Sequence, residues 1–253
     1  MRILVTNDDG IHAPGLLALT HALAVLGEVV AVAPDRPRSA SGHAVTLHKP
    51  LRIMPTHLPD GTQCYATNGT PSDCVVLGLF SGLMSGKPEL VVSGINQGPN
   101  LGEDLTYSGT VSAAMEGTIY GIPSFAISVS SYEASGYEPA ACFAAKLARL
   151  IAERGLPENT FLNVNVPDLP EQMLAGVAIT CQGRRRYQGL LDKRTDPRGK
   201  PYYWLGGEVF EVDQDGGTDV EAVAEDKISV TPIHLDLTNH AALETLRGWP
   251  WRP

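Results

Sequence analysis

The sequence predicts an α/β fold: a mainly parallel sheet with helices on both faces, followed by a β-rich C-terminal extension. Two observations predict it. Through the first two thirds of the chain, short β-branched runs alternate with stretches of helical periodicity, the pattern of βαβ crossovers. From about Phe161 the pattern changes to short strand-like runs separated by Pro, Gly and Asp. The boundary drawn from this change places a core at residues 1–160 and the extension at 161–253. With 253 residues, 43% of them hydrophobic and 19% charged, the chain is long enough for both.

Ile3 to Thr6 reads as the first strand. Leu16, Leu19, Leu23 and Leu26 then recur at near-helical spacing, with Pro14 and Gly15 at the helix entrance. Val29 to Val32 is a second strand. Thr70 is a candidate N-cap, with Pro71 at the first helical position and Asp73 closing a capping-box-like pair. Leu90 to Ser93 is a buried-strand run, Thr110 to Tyr120 a helix, and Phe125 to Val129 a strand. Pro139 to Arg154 is a long helix ended by Gly155. Beyond Phe161, strand-like runs fall at Leu162 to Val166, Val177 to Thr180, Tyr202 to Leu205 and Ile228 to Thr231. The polar, basic, glycine-punctuated segment from Arg184 to Pro201 reads as a loop or exposed arm.

Lys and Arg total 19 against 28 Asp and Glu, a formal charge of −9. Such a chain lacks the basic face that duplex nucleic acid requires, so no nucleic-acid partner is expected. No apolar run approaches the roughly 20 residues that span a bilayer. Two carboxylates follow the first strand before a signal-peptide core could form, so the expected location is the cytoplasm and no membrane partner is expected. Cys64, Cys74, Cys142 and Cys181 form no C-x-x-C pair and lie at no zinc-finger spacing. A structural zinc site or disulfide framework is not expected.

In an open parallel sheet, ligands bind beyond the carboxyl ends of the strands. Three polar clusters fall there. Asn7-Asp8-Asp9-Gly10 follows the first strand, where Gly10 gives the backbone freedom to turn both acids to one side. Two ionised carboxylates held together repel unless a cation joins them; taken alone, the pair also fits a helix cap and a turn. The second cluster runs from Gly94 to Gly102, and Asn96, just past its strand, could offer an amide oxygen to a hard cation or simply make a turn. Its glycine spacing matches neither the dinucleotide nor the P-loop fingerprint. The third, Tyr107-Ser108-Gly109-Thr110-Val111, leads into a helix whose free N–H groups could hold an anion or merely be capped. A fourth loop, Asp35 to His43, carries hydroxyls, a glycine and two arginines. Together, carboxylate, amide and hydroxyl oxygens suit Mg²⁺, Mn²⁺ or Ca²⁺, and an anion seat beside such a cation suits a phosphoryl group.

These residues resemble the SurE family, stationary-phase survival proteins that act as metal-dependent 5′-nucleotidases. The resemblance is carried by Val5 to Ile11, Asp35-Arg36 through Ser39-Ala40-Ser41-Gly42, Asn68 to Cys74, Ser93 to Asn96 through Gly102, and Tyr107 to Val111. Weaker pieces continue at Arg198-Gly199 with Tyr202 to Trp204, Thr218-Asp219 and Ser229 to Pro232. The resemblance implies a Rossmann-like fold with a C-terminal extension used in a homodimer and often a homotetramer. It implies a phosphoric monoester hydrolase acting on nucleoside 5′-monophosphates, and allows 3′-monophosphates and polyphosphate. One divalent cation per subunit is implied, Mg²⁺ or Mn²⁺, with Ca²⁺ able to replace it in crystals. Carried over position by position, the metal ligands would be Asp8, Asp9, Ser39 and Asn96, with Asp8 and Asp9 as catalytic acids. Asn7, Ser41, Gly42, Ser108, Gly109 and Thr110 fall where the family gathers phosphate contacts.

Other chemistries fit less well. A phospho-aspartate phosphatase needs D-x-D after the strand, and the residue two before Asp9 is Asn7, whose amide is no nucleophile. A non-catalytic nucleotide sensor would not require paired acids. The run Asp213 to Asp219 has glycine fourth and fifth where an EF-hand loop needs it sixth, so it reads as a turn. His12 and His43 flank the site motifs and could touch substrate or serve packing. Arg184 to Arg186 could reach a phosphate or a neighbouring subunit, Tyr107 and Tyr187 could stack on a base, and the apolar tail with Trp249 and Trp251 is expected to dock.

Overall fold

A computed structural model describes residues 1–189, 191–212 and 216–251. In chain order the elements are β1 (Arg2–Thr6), α1 (Pro14–Ala24), β2 (Glu28–Pro34), β3 (Ile53–His57), β4 (Gln63–Thr67), α2 (Pro71–Phe80) and β5 (Leu90–Gln97). A 3₁₀ turn at Gly102–Thr106 precedes α3 (Gly109–Ile119), β6 (Ser124–Val129), α4 (Glu138–Arg154), β7 (Thr160–Val166) and β8 (Val177–Ile179). There follow β9 (Arg185–Gln188), β10 (Leu191–Thr195), β11 (Pro201–Leu205), β12 (Glu208–Val212), α5 (Asp219–Ala224), β13 (Ile228–His234) and α6 (His240–Arg247).

Nine strands form one sheet in the order β3-β4-β2-β1-β5-β6-β7-β13-β8. From β4 to β7 every neighbouring pair is parallel; β3 with β4 and β13 with β7 are antiparallel. The chain builds from β1 outward through β2 and β4, then returns to β5 on the other side of β1. The carboxyl ends of β1 and β5 therefore flank the point where strand order reverses, the place where such sheets open a crevice.

Side-chain alternation divides the core. Ile3 and Val5 join Leu16, Leu19 and Leu23 of α1 and Ala144 and Leu147 of α4 on one face. Leu4, between them, meets Val32, Cys74, Val75 and Ala113 on the other, under α2 and α3. These strand runs are continuously apolar because both faces are covered. α2 starts as its sequence indicates: Thr70 accepts from the Asp73 N–H, Asp73 reaches back to the Thr70 N–H, and Pro71 opens the helix.

Three local features differ from the sequence expectation. β5 continues through a register shift to Gln97, so Asn96 lies inside the strand and not past its end. The hairpin β3–β4 gives no apolar run, since it sits at the sheet edge and carries Pro55, which only an edge strand tolerates. The Arg184–Pro201 segment forms β9 and β10; β10 pairs with β11 and β9 with β12, antiparallel and outside the main sheet. β11 coincides with the strand-like run read at Tyr202 to Leu205, whereas β10, exposed along its whole length, has no buried face to mark it. β7, β13 and β8, all within residues 160–234, extend the main sheet. Asp213 to Asp215 of the acidic turn lie outside the described residues. Trp249 and Trp251 stack on each other and remain 54% and 68% exposed; the Trp251 indole donates to Leu246 O of the preceding helix α6. Among the described residues no helix is long and apolar enough to cross a membrane.

Candidate active site

The end of β1 is shaped by Asn7. Its amide nitrogen donates to Gly10 O at 3.0 Å and its oxygen accepts from Gly10 N at 3.1 Å, closing a turn in which Gly10 takes φ 97°. Asn7 is fully buried. Both halves of its amide are taken by the turn, which places it under the site as a former of the loop. The turn brings Asp8 and Asp9 to one cleft of about 560 Å³.

The start of α3 closes over Asp8. The Thr110 hydroxyl donates to Asp8 Oδ1, and the Gly109 and Thr110 N–H groups also stabilise that carboxylate. A Cβ at Gly109 would lie 2.8 Å from Asp8 Cβ and from Ser41 Oγ, so only glycine allows this approach. Ser108 caps the helix, accepting from Val111 N at 3.1 Å, and also lines the cleft. The anion seat read from the sequence is thus present, and in this structure the anion at it is Asp8. Asp9 is half-buried and accepts from Gln97 N at 3.1 Å, which ties the first loop to the end of β5.

Burial disfavours charge on both acids. It raises Asp8 above the ordinary carboxylate range, partly opposed by the Thr110 hydroxyl. Asp9 is pushed up to about 6, by burial first and then by the adjacent Asp8 charge. Two carboxylates held in this way store repulsion that a cation would relieve.

The loop after β2 is drawn over the site by Arg38 N, which donates to Asp8 O at 2.7 Å, and by Gly42 N, which donates to Tyr107 O at 3.0 Å. Between these ties, Ala40 adopts φ 53°. Ser39 lines the cleft beside Asp8 and Asp9, while Ser41 Oγ is buried with no hydrogen-bond partner among the described atoms. His43 bonds the buried Glu116 of α3 at 2.5 Å, so it anchors the loop and does not line the cleft. His12 is exposed. Asn96 also lines the cleft; its nitrogen donates to Gly98 O at 2.7 Å, which leaves the amide oxygen for another partner.

Asp8, Asp9, Ser39 and Asn96 thus meet at one cleft, with Ser41, Gly109 and Thr110 packed behind Asp8 and Gly42 tied to Tyr107. Among the described residues no three His, Cys, Asp or Glu side chains gather as a metal site. The candidate set fits a hard cation instead through two carboxylates, an amide oxygen and a hydroxyl.

Several supporting residues carry weaker sequence signals. Asn163 and Asn165 of β7 donate to Asn100 O at 2.8 and 3.0 Å, and Asn165 accepts from Asn100 N at 2.8 Å. This buried network fixes the loop beyond Asn96, and two asparagines alternating in an apolar strand were its signal. Asp219 accepts from Gly102 N at 2.9 Å and Gly183 N at 2.8 Å, joining that loop to the C-terminal segment. Nothing local to Asp219 marks that long-range role.

Fold and site together define a class: a doubly wound α/β protein with an acidic, oxygen-rich crevice at its switch point and a helix start facing it. The family model for Survival protein SurE matches residues 3–189. Over 250 residues, 98% of this chain, the sequence is 55% identical to the 5′-nucleotidase SurE of Geobacter sulfurreducens, covering 94% of that protein. It is 52% identical over 251 residues to the 5′-nucleotidase SurE of Heliobacterium modesticaldum, covering 98% of this chain and 92% of the relative. The crystal structure of the SurE protein from Aquifex aeolicus superposes with a TM-score of 0.85 at 45% identity, covering 98% of each chain. The chain belongs to the SurE family.

Proposed function

We propose that the protein is a metal-dependent 5′-nucleotidase, hydrolysing nucleoside 5′-monophosphates to nucleoside and inorganic phosphate. The observation that carries this reading is the convergence of Asp8, Asp9, Ser39 and Asn96 on one cleft at the switch point, beside the start of α3. The names of the relatives at 50–55% identity support the substrate class.

Asp8, Asp9, Ser39 and Asn96 would hold one divalent cation per subunit, and their oxygen chemistry favours Mg²⁺ or Mn²⁺. When bound, such a cation neutralises phosphoryl oxygens and acidifies water. The remaining work falls to the chain. Asp8 has its oxygens engaged by Thr110 and the helix start, so its position is fixed. Asp9 accepts a single N–H, from Gln97, and faces the cleft, which leaves it a lone pair to orient the attacking water and take its proton. The unpartnered Ser41 hydroxyl is the donor left free for the phosphate; Gly109 and Thr110 reach the site through Asp8, Gly42 through its tie to Tyr107 and Ser108 as the cap of α3, while Asn7 holds the turn. An arm or tail within residues 161–253 would serve self-association as a homodimer or homotetramer, and the cytoplasm is the compartment that fits the sequence.

Phosphate release from 5′-AMP by chelator-treated protein, with Mn²⁺ or Mg²⁺ restored, tests the reading. Activity should return with metal and fall by at least about a hundredfold in Asp9→Asn, the usual scale for losing a positioned base. Full activity in a folded Asp9→Asn variant would refute the assignment.

A further inference from the structure

We infer that His43 and Glu116 form a positioning pair: the carboxylate buried in α3 holds the His43 ring, and that bond sets the serine loop over Asp8. The role rests on the metal–phosphate reading of the cleft and adds to it the contact that places Ser39 and Ser41.

Glu116 is the sole charged residue of α3, and it is only 5% exposed. A carboxylate withdrawn from water is costly unless a donor meets it. Among the described residues its carboxylate has one hydrogen-bond partner, His43 Nε2 at 2.5 Å, 73 positions away in the chain. His43 needs no such shelter, since its side chain is 33% exposed on a loop. The acid beneath it turns the ring inward.

The loop has little else to shape it. Between β2 and β3, residues 35–52 form neither helix nor strand, so the path rests on individual ties. Upstream of the serines, Arg38 N donates to Asp8 O at 2.7 Å. Downstream, Gly42 N donates to Tyr107 O at 3.0 Å, and the bond from the His43 ring follows at the next residue. Ala40, between these ties, takes φ 53°, a conformation alanine keeps only where its surroundings impose it. Further on, Ala44 O accepts the Thr70 hydroxyl at 2.7 Å, and Thr46 donates to Asp73 through its N–H at 2.9 Å and its hydroxyl at 2.6 Å. Those later bonds tie the loop to the start of α2, whereas the His43 ring ties it to α3.

One face of α3 serves both the site and this anchor. Gly109 opens the helix against Asp8 and Ser41, and a Cβ there would lie 2.8 Å from Ser41 Oγ. Glu116 follows about two turns later on the same face, about 10 Å further along the axis. The loop therefore runs along the helix, with Ser41 at its start and His43 over Glu116. His43 does not line the cleft; it acts through Ser39, which does, and through Ser41, whose buried hydroxyl has no partner among the described atoms.

Mn²⁺ affinity by electron paramagnetic resonance, kcat and KM for 5′-AMP, and a thermal melt test the pair in three variants. His43→Ala should weaken Mn²⁺ binding and raise KM, each by at least about tenfold, the scale for losing a group that orients a metal ligand. It should also lower the melting temperature, because Glu116 is left buried without a donor. Glu116→Gln, whose amide oxygen still accepts from the ring, should keep most of the Mn²⁺ affinity. His43→Ala combined with Glu116→Met removes the stranded acid, so the melting temperature should recover while Mn²⁺ binding and KM stay impaired. Recovery of binding along with the melt would overturn the positioning role, because only the buried charge would then have mattered. Unchanged Mn²⁺ affinity and KM in His43→Ala would overturn it too. Unmodified protein that binds no Mn²⁺ and releases no phosphate from 5′-AMP would instead overturn the metal–phosphate reading, and the pair's role with it.

Discussion

Asp8 and Asp9, the proposed catalytic acids, are disfavoured as charges by their own burial. The ordinary Asp pKa is about 3.9, and Asp9 is pushed up to about 6 in the folded protein. The folded state therefore holds this proton more tightly than the unfolded chain. Stability from that difference is fully present below about pH 4 and is lost as pH rises through 6. Asp9→Asn removes the cost. In chelator-treated protein the variant should melt higher near pH 8, by on the order of 1 kcal/mol after allowance for solvent screening. The gain should vanish near pH 4, and a variant less stable than the unmodified protein at pH 8 would contradict the electrostatic account. At this scale the sequence was informative about residue type and less so about role. Asn7 stands in the same motif as Asp8, yet its amide is taken by the Gly10 turn, and only the folded backbone shows that. His43 likewise sits beside site residues and is turned to Glu116.

The elements bring these side chains together through their ends. Pro71, Thr70 and Asp73 announce α2 locally, and Ser108 does so for α3; both helices begin where their caps place them. Local signals suffice because capping is a contact within one turn. Edge and arm strands lack such signals. β3 carries Pro55 and β10 buries nothing, so neither shows the alternating apolar face of a half-buried strand, although each pairs with the strand that follows it in the chain. Asn96 shows the same limit in reverse, since a register shift inside β5 carries the strand past the point where its apolar run stops. The closest approach between elements is that of the α3 start to the β1 loop. Gly109→Ala would put a methyl 2.8 Å from Asp8 Cβ, and that backbone-proximal atom has little room to yield. Displacing Asp8 should lower kcat about a hundredfold, as small misplacements of reacting groups do, and the overpacked contact should also cost about 1–3 kcal/mol of stability. Steady-state kinetics beside a thermal melt checks it, and wild-type kcat in Gly109→Ala would contradict the packing described.

At the scale of the whole molecule, topology sets the site. Parallel strands wound outward from β1 in both directions leave a crevice between the β1 and β5 ends. Alternating strands and helices made that architecture legible from sequence, because period and order survive whatever the loops do. The C-terminal part was less legible. It adds β7, β13 and β8 to the main sheet, sends β9 to the cleft, and ends in α6 with two stacked, exposed indoles. No residue of α6 is buried in the single chain, although the helix is amphipathic, and apolar surface of that kind is expected to be covered in an assembly. Truncation after Arg247 should shift the sedimentation coefficient toward a smaller species; unchanged assembly would show that the tail plays no part in it.

Two loops and the end of β5, meeting at the switch point, are proposed to share one cation. Counting bound Mn²⁺ per chain by electron paramagnetic resonance tests it most directly. One tight site is expected in the unmodified protein, and its loss or marked weakening in both Asp9→Asn and Asn96→Ala while the fold is kept. Stoichiometric Mn²⁺ binding of unchanged affinity in both variants would contradict it.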